Sequence, residues 1–342
     1  MAVIKRWGLR LGLAALAAGA AQAVSAQEVN IYSSRHYQTD ERLYSEFEKR
    51  TGIQVNRLQG GGDALIARLK QEGRNSPGDI LITVDAGRLW RAEKAGLFQS
   101  VDSEILRKRI PANLRHPDGL WFGFSTRARL IFVDTKRADP EAIDSYADLT
   151  DARWRGEVCV RSSGNVYNLS LMAAMIAHKG RETAEAWAEG VAANFARKPQ
   201  GGDIDQLRAA AAGECALALA NSYYFVRLMQ SDDPADQTVV DRLAPVFPDQ
   251  DGPGTHINVS GAGVLEHAPH PEAALRFLEY LASDFAQRYF ARGNNEYPAV
   301  PGLLDNDALI ELGDFKADDL NVSVLGRNQP SAQRVFDRAG WP

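Results

Sequence analysis

Short apolar runs that alternate with amphipathic ones constrain this chain more than any other feature. Residues 29–33 read as a strand. Residues 40–50 read as a helix with Leu43 and Phe47 on one face and Thr39 or Asp40 as its cap. Thr51-Gly52 ends that helix, and 53–58 is the next strand. Gly60-Gly61-Gly62-Asp63 then opens a helix through Leu65, Ile66 and Leu69, with Asp63 as cap; 79–84 is a third strand and 86–95 a third helix. This alternation predicts an α/β fold built on mainly parallel sheet with flanking helices. The glycine triplet is no phosphate loop, because no Lys-Ser/Thr follows it.

The rhythm breaks at 120–133. Trp121-Phe122-Gly123-Phe124-Ser125 and Leu130-Ile131-Phe132-Val133 read as two strand pieces joined by Thr126-Arg127-Ala128-Arg129, a segment suited to crossing between domains. Beyond Pro140 come a short helix at 146–149, a strand at 157–161, and helices at 166–178, 181–196 and 203–212. A strand at 217–220 and extended stretches at 243–247 and 257–259 follow; the turn Gly252-Pro253-Gly254 between the last two marks a return crossing. A long helix at 271–292, a loop at Asn294-Asn295-Glu296-Tyr297-Pro298 and a short helix at 332–338 complete the chain. The 342 residues suffice for two domains. With no linker or repeat between them, the chain is expected to cross more than once. Residues 27–125 with about 250–300 form one lobe, and 126–249 with about 301–342 the other.

The first 26 residues stand apart. Lys5, Arg6 and Arg10 precede an Ala/Leu-rich run, and Val24-Ser25-Ala26 or Ala21-Gln22-Ala23 offers small residues for cleavage: a secretory signal, too short for a membrane span. Its removal takes away three positive charges and moves the net charge from -5 to -8. So acidic an exported protein is a poor partner for nucleic acid or an anionic membrane. Export also makes a disulfide plausible between Cys159 and Cys215, the two cysteines of the chain. Each lies in a strand-like segment that leads into a tyrosine, so a bridge would brace the two sites.

Those sites are Asn165-Val166-Tyr167 and Ala220-Asn221-Ser222-Tyr223-Tyr224, joined by Arg35-His36-Tyr37 near the start. All three follow short apolar strands, and in open α/β sheets ligands bind beyond the carboxyl ends of strands. Inside a strand Tyr223 and Tyr224 would point to opposite faces; a loop or helix start could turn both hydroxyls to one ligand. Any one of these tyrosines is equally read as aromatic packing or a sugar-stacking surface. One imidazole and four phenols together suit neither the usual zinc set nor a calcium cage of carboxylates. They suit a small, hard, highly charged cation such as ferric iron. A free phenol has a pKa of about 10 and becomes a useful ligand at neutral pH only when a strong Lewis acid removes its proton. Tyr167 also stands at a helix start, where a phenolate gains from the positive end of the dipole. Tyr32, Tyr44, Tyr146, Tyr280, Tyr289 and Tyr297 fall inside elements or in the late loop and read as structural.

Ser33-Ser34-Arg35-His36-Tyr37, Arg161-Ser162-Ser163-Gly164-Asn165-Val166-Tyr167-Asn168 and Ala220-Asn221-Ser222-Tyr223-Tyr224 resemble the three ligand motifs of the bacterial ferric-ion-binding proteins. These are periplasmic solute-binding components of ABC iron importers. The resemblance spans nearly the whole chain after residue 26. It implies a type II periplasmic-binding-protein fold: two lobes, each with a mixed or parallel sheet and flanking helices, around an interdomain cleft. It implies His36, Tyr37, Tyr167, Tyr223 and Tyr224 as ligands to Fe3+, an inner-membrane ABC permease as partner, a monomer, and a periplasmic location. Some relatives complete the shell with an anion such as carbonate or phosphate, others with a further tyrosine; this chain resembles the tyrosine-rich branch. It has no clear Glu where some relatives supply a carboxylate, and Asp63 is the nearest acid. Arg127 resembles the basic residue that meets the anion or the phenolates; an interdomain salt bridge is its other reading.

Two rivals stand beside a ferric-iron carrier. One is a binding protein of the same fold for a polyamine or sugar. The other is a secreted iron-dependent oxidoreductase, against which a closed five-ligand shell speaks. No Gly-x-Ser-x-Gly elbow, Walker loop or dinucleotide fingerprint is present. His267-Ala268-Pro269-His270 reads as a loop that nothing acidic faces.

Overall fold

The computed structural model describes residues 27–35 and 40–342. The expected leader at 1–26, together with His36 and Tyr37, lies outside the described residues. Strand β1 (Glu28–Ser33) leads through the helix Glu41–Thr51 to β2 (Gln54–Gln59), and the helix Gly62–Glu72 leads to β3 (Ile80–Val84). β1 lies between β2 and β3 and is parallel to both, as the alternation predicts, because parallel neighbours need a crossover and these helices supply it. The helix Glu41–Thr51 stops at Gly52, whose φ of 72° is left-handed backbone open to glycine. Neither expected acidic cap forms. Asp40 instead pairs with Arg35, and Asp63 with Arg88 and Arg91.

The expected pair of strand pieces near 120–133 is one strand, β4 (Phe122–Asp134), 13 residues long and buried throughout. Arg127 and Arg129 suggest a connection because buried guanidinium groups are unfavourable unless paired; here both are paired. β5 (Val158–Cys159), β6 (Leu217–Asn221), β7 (Leu243–Val246), β8 (Ile257–Val264) and β9 (Tyr297–Pro298) follow. The order is β2-β1-β3-β8-β4-β6-β5, with β7 and β9 also pairing with β4. From Phe122 to Ala128, β4 runs antiparallel to β8; from Arg129 onward it runs antiparallel to β6 and β7. The two sheets expected from the sequence are therefore joined through β4 into one curled, mixed sheet.

Three further expectations change. The strand at 157–161 shrinks to two residues. The helix at 271–292 is two helices, Pro271–Leu281 and Asp284–Asn294, because the Ser283 hydroxyl caps the second by accepting from the Ala286 amide. The terminal helix is longer, Ser323–Arg338, and carries Pro330 inside it. It packs on the helices Ala86–Lys94 and Val166–Lys179. That approach needs Gly326, where a Cβ would fall 2.1 Å from the Trp90 Cβ.

Cys159, in β5, is bonded to Cys215, two residues before β6, with Cα atoms 5.9 Å apart. The brace between the two tyrosine-bearing strands expected from the sequence is thus present. β5 and β6 are parallel neighbours with Cys159 opposite Ala218. The bond closes a sequence separation of 56 residues, and a loop of that size restricts the unfolded chain by about 4 kcal/mol. Cys159→Ala/Cys215→Ala should lower the unfolding free energy by up to about that amount, measured by urea denaturation. Equal midpoints with and without the bond would show that it braces nothing.

Candidate functional site

The site is built on one face of β4. Side chains alternate along a strand, so Ser125, Arg127 and Arg129 share a face, in register with Ser260, Asn258 and Asn221 of the neighbouring strands. Arg127 is 2% exposed. Its Nη1 donates to Ser260 Oγ at 2.9 Å and lies 4.0 Å from Glu296 Oε1. Glu296 also accepts from Arg35 Nη1 at 3.0 Å and from Ser125 Oγ at 2.5 Å. Arg35 pairs in turn with Asp40 at 3.1 Å, and Asp40 accepts from Asn294. Arg35 and Asp40 bracket residues 36–39, so the ends of the segment holding His36 and Tyr37 are tied to each other and, through Glu296, to Arg127.

Arg129 makes a second set of bonds. Its Nη1 donates to Asp203 Oδ2 at 2.7 Å and Asn221 Oδ1 at 3.1 Å, and its Nη2 to Asn168 Oδ1 at 2.9 Å. Asp203, fully buried at the first turn of the helix Asp203–Ala211, also accepts from the Asn221 amide at 2.8 Å and from Arg161 Nη1 at 3.2 Å.

Three of the expected tyrosines meet beside these arginines. Tyr167 is the second residue of the helix Val166–Lys179, whose Asn165 cap accepts from the Tyr167 amide. Tyr223 and Tyr224 open the helix Ser222–Met229. A helix turns successive side chains by about 100° rather than the 180° of a strand, which resolves the alternative left open by the sequence. The Tyr223 and Tyr224 rings lie 4.1 Å apart, and the Tyr167 and Tyr223 hydroxyls share a hydrogen bond of 3.3 Å. The guanidinium carbons of Arg161, Arg127 and Arg129 stand 5.5, 5.9 and 5.9 Å from the centre of the Tyr167 ring, in cation–π range. Arg227 stands 5.7 Å from the Tyr224 ring.

The electrostatics follow from burial among these charges. Burial pushes the Tyr224 phenol above its ordinary range, with Tyr167 and Asp203 adding to the rise and Tyr223 and Arg161 opposing it. Burial works against the Arg127 charge, but Glu296, Tyr167, Tyr223 and Asp85 outweigh it and hold the guanidinium protonated. His256 is pushed down to about 3 by burial and by Arg129, Arg127 and His178. The buried Nε atoms of Arg127, Arg129 and Arg161 and the Nδ2 of Asn221 have no hydrogen-bond acceptor among the described residues.

Asp85, just past the carboxyl end of β3, is a further buried acid acting on Arg127. It is fully buried at a φ of 79°, a conformation that costs a non-glycine residue about 1 kcal/mol or more. Its carboxylate accepts from the Gly87 amide, from Ser170 Oγ at 2.7 Å on the helix that carries Tyr167, and from Asn258 Nδ2 at 2.9 Å on β8.

Sequence reasoning missed Asp203, Glu296, Asp85 and Arg129. Arg129 had a signal, the period-two polar run Ser125-x-Arg127-x-Arg129 inside an apolar stretch; the acids had none, because their partners are remote in sequence. The tyrosines read as structural pack or bond elsewhere: Tyr280 donates to the Leu43 carbonyl, Tyr146 to the Arg129 carbonyl and Tyr32 to Glu72, while Tyr44 stacks on Phe277 and Tyr289 on Phe285. The Tyr297 hydroxyl is buried without a hydrogen-bond partner among the described residues. His270 contradicts the expectation that nothing acidic faces it, since its Nδ1 lies 3.0 Å from Asp79 Oδ2. Among the described residues no group of three or more His, Cys, Asp or Glu side chains is arranged to hold a metal ion.

A family model for bacterial extracellular solute-binding proteins matches residues 75–312. The iron uptake protein A2 of a Synechocystis strain is 54% identical over 315 residues, 92% of this chain and 90% of that protein. Among solved structures, apo FutA2 from Synechocystis superposes with a TM-score of 0.89 at 53% identity, covering 93% of this chain and 100% of that one. The Trichodesmium protein IdiA (FutA), in complex with iron and citrate ligands, gives a TM-score of 0.90 at 50% identity, covering 92% and 100%.

Glu296 offers a direct test of the buried charge network. Burial alone would raise its pKa, but Arg35 and Arg127 lower it below the ordinary carboxylate value of 4.5. A depressed folded-state pKa contributes stability that is complete above the unfolded value and is lost as pH falls through the folded one. Glu296→Gln should cost about 3–5 kcal/mol at neutral pH, because it leaves buried arginines uncompensated. It should also flatten the loss of stability below pH 4.5. Urea denaturation between neutral pH and strong acid measures both; an unchanged acid limb would assign that limb to other carboxylates.

Proposed function

We infer the function from the family to which this chain belongs, the bacterial extracellular solute-binding proteins, and from the tyrosine site on its sheet. It is an exported protein that binds ferric iron and takes part in its uptake, a transport role rather than a catalytic one. The observation that carries this reading is the meeting of Tyr167, Tyr223 and Tyr224 beside three guanidinium groups. Uncharged phenols tolerate burial when no metal is bound. A ferric ion displaces their protons, and the neighbouring positive charge favours the phenolates so formed.

Tyr167, Tyr223 and Tyr224 supply phenolates from one side, and His36 and Tyr37 complete the ligand set from the segment that Arg35 and Asp40 bracket. The buried donors on Arg127, Arg129, Arg161 and Asn221 suit an anion such as carbonate beside the metal. Residues 27–125 with about 250–300 form one lobe and 126–249 with about 301–342 the other, and closure bends β4, which runs from the first lobe into the second. The leader-like segment at 1–26 supports release into the periplasm, where the protein acts as a monomer and an inner-membrane ABC permease receives the iron.

Tyr223→Phe keeps the ring and deletes only the oxygen. It should lower ferric-iron affinity by orders of magnitude while costing the metal-free protein no more than the roughly 0.5–1.5 kcal/mol of a lost hydrogen bond. Tyr224→Phe and Tyr167→Phe should behave alike. Tyr280→Phe should cost a similar amount of stability for its lost hydrogen bond and leave iron binding intact. Iron-loaded wild type should absorb visible light through phenolate-to-iron charge transfer and bleach on acidification as phenolates reprotonate. Wild-type colour and affinity in both Tyr223→Phe and Tyr224→Phe would overturn the ferric reading and favour an organic ligand stacked on the rings.

A further inference from the structure

The two tyrosine-bearing helix starts come from distant parts of the sequence, yet their hydroxyls meet within 3.3 Å. Phenol oxygens converging on one metal must be held to a fraction of an ångström, and the disulfide joins β5 to the residue two before β6 rather than the helix starts themselves. Arg129 and Asp203 connect to both starts. Arg129 bonds to the side chain of Asn168, the residue after Tyr167, and to that of Asn221, the residue immediately before the Tyr223–Tyr224 helix. Asn168 in turn donates to the carbonyls of Arg161 and Ser162, which fixes the turn entering Tyr167. Asp203 holds the Asn221 backbone amide, Arg129 and Arg161 with its two oxygens. Both Arg129 and Asp203 are 1% exposed, so water does not compete for these bonds.

Resting on the ferric-iron reading, we propose that Asp203 is a positioning residue for the metal site. It touches no metal; through Arg129 and the Asn221 amide it sets the separation and orientation of the Tyr167 start relative to the Tyr223–Tyr224 start. Arg129 is the bidentate arm of the same device. Lysine cannot replace it, because one ammonium does not reproduce a planar fork that reaches Asp203, Asn168 and Asn221 together.

The test compares wild type with Asp203→Asn, Arg129→Lys and the double variant, and includes Asn168→Ala as a milder change should a buried-charge variant fail to fold. Each is titrated with ferric iron against citrate, its visible charge-transfer band is recorded, and its metal-free melting temperature is measured. Loss of a group that orients ligands without touching the metal lowers affinity by about 10- to 100-fold. Each single variant, Asn168→Ala included, is expected to show such a loss with a shifted or weakened band. The double variant should lose no more than the worse single, since the two residues act through each other. A role in stability alone would lower the melting temperature and leave the band and affinity of the folded protein at wild-type values, and that result overturns the proposal. Wild type that takes up iron without a charge-transfer band would overturn the ferric-phenolate reading instead.

Discussion

Two guanidinium groups on one face of a strand that water does not reach set the terms for everything around them. Arg127 and Arg129 lie within β4, and a buried charge persists in a fold only with a partner and satisfied hydrogen bonds. Glu296 compensates the first from the segment before β9, and Asp203 compensates the second from a helix start. Each acid serves a second arginine as well, Arg35 or Arg161. The polar layer beside the tyrosines is therefore two sets of ion pairs and hydrogen bonds, one on each half of the sheet. A defect anywhere in it exposes an uncompensated charge, which gives a single geometry an advantage over its neighbours.

That layer explains why phenols suit this place better than carboxylates. Arg127, Arg129 and Arg161 stand around the Tyr167 ring, with Glu296 and Asp203 as their buried partners. Further carboxylates would stay charged without a metal and would pair with the arginines, collapsing the site. In the proposed ferric site, phenols would remain neutral until a strong Lewis acid arrived, so the site would keep its form when empty and gain anionic donors only with the cation. Burial that pushes Tyr224 upward serves the same end.

Much of this was legible in the chain itself. The βα alternation from Val29 to Ala95 predicted parallel strands with crossover helices, and those strands and helices are present. The tyrosine motifs were identifiable because each follows a short apolar strand, and the two cysteines were placed by the strands that hold them. The errors share a cause. Arg127 and Arg129 made β4 look like two pieces, since a guanidinium reads as solvent-exposed until its partner is known. Asp40 and Asp63 stood at helix starts and looked like caps, but arginines brought near by the fold offered stronger partners than a backbone amide.

Periodicity and the chemistry of residue types, then, determined the class of fold and the strand ends beyond which Tyr167, Tyr223 and Tyr224 stand. These are local properties, decided by the spacing of apolar residues and by what a side chain can donate. Which arginine meets which acid, and whether Tyr223 and Tyr224 point together or apart, was decided only by tertiary structure. Glu296 lies 261 residues from Arg35 and Asp203 lies 74 from Arg129. Pairings at such separations depend on how the sheet orders its strands, and β4 takes partners from both sides of the chain's crossings.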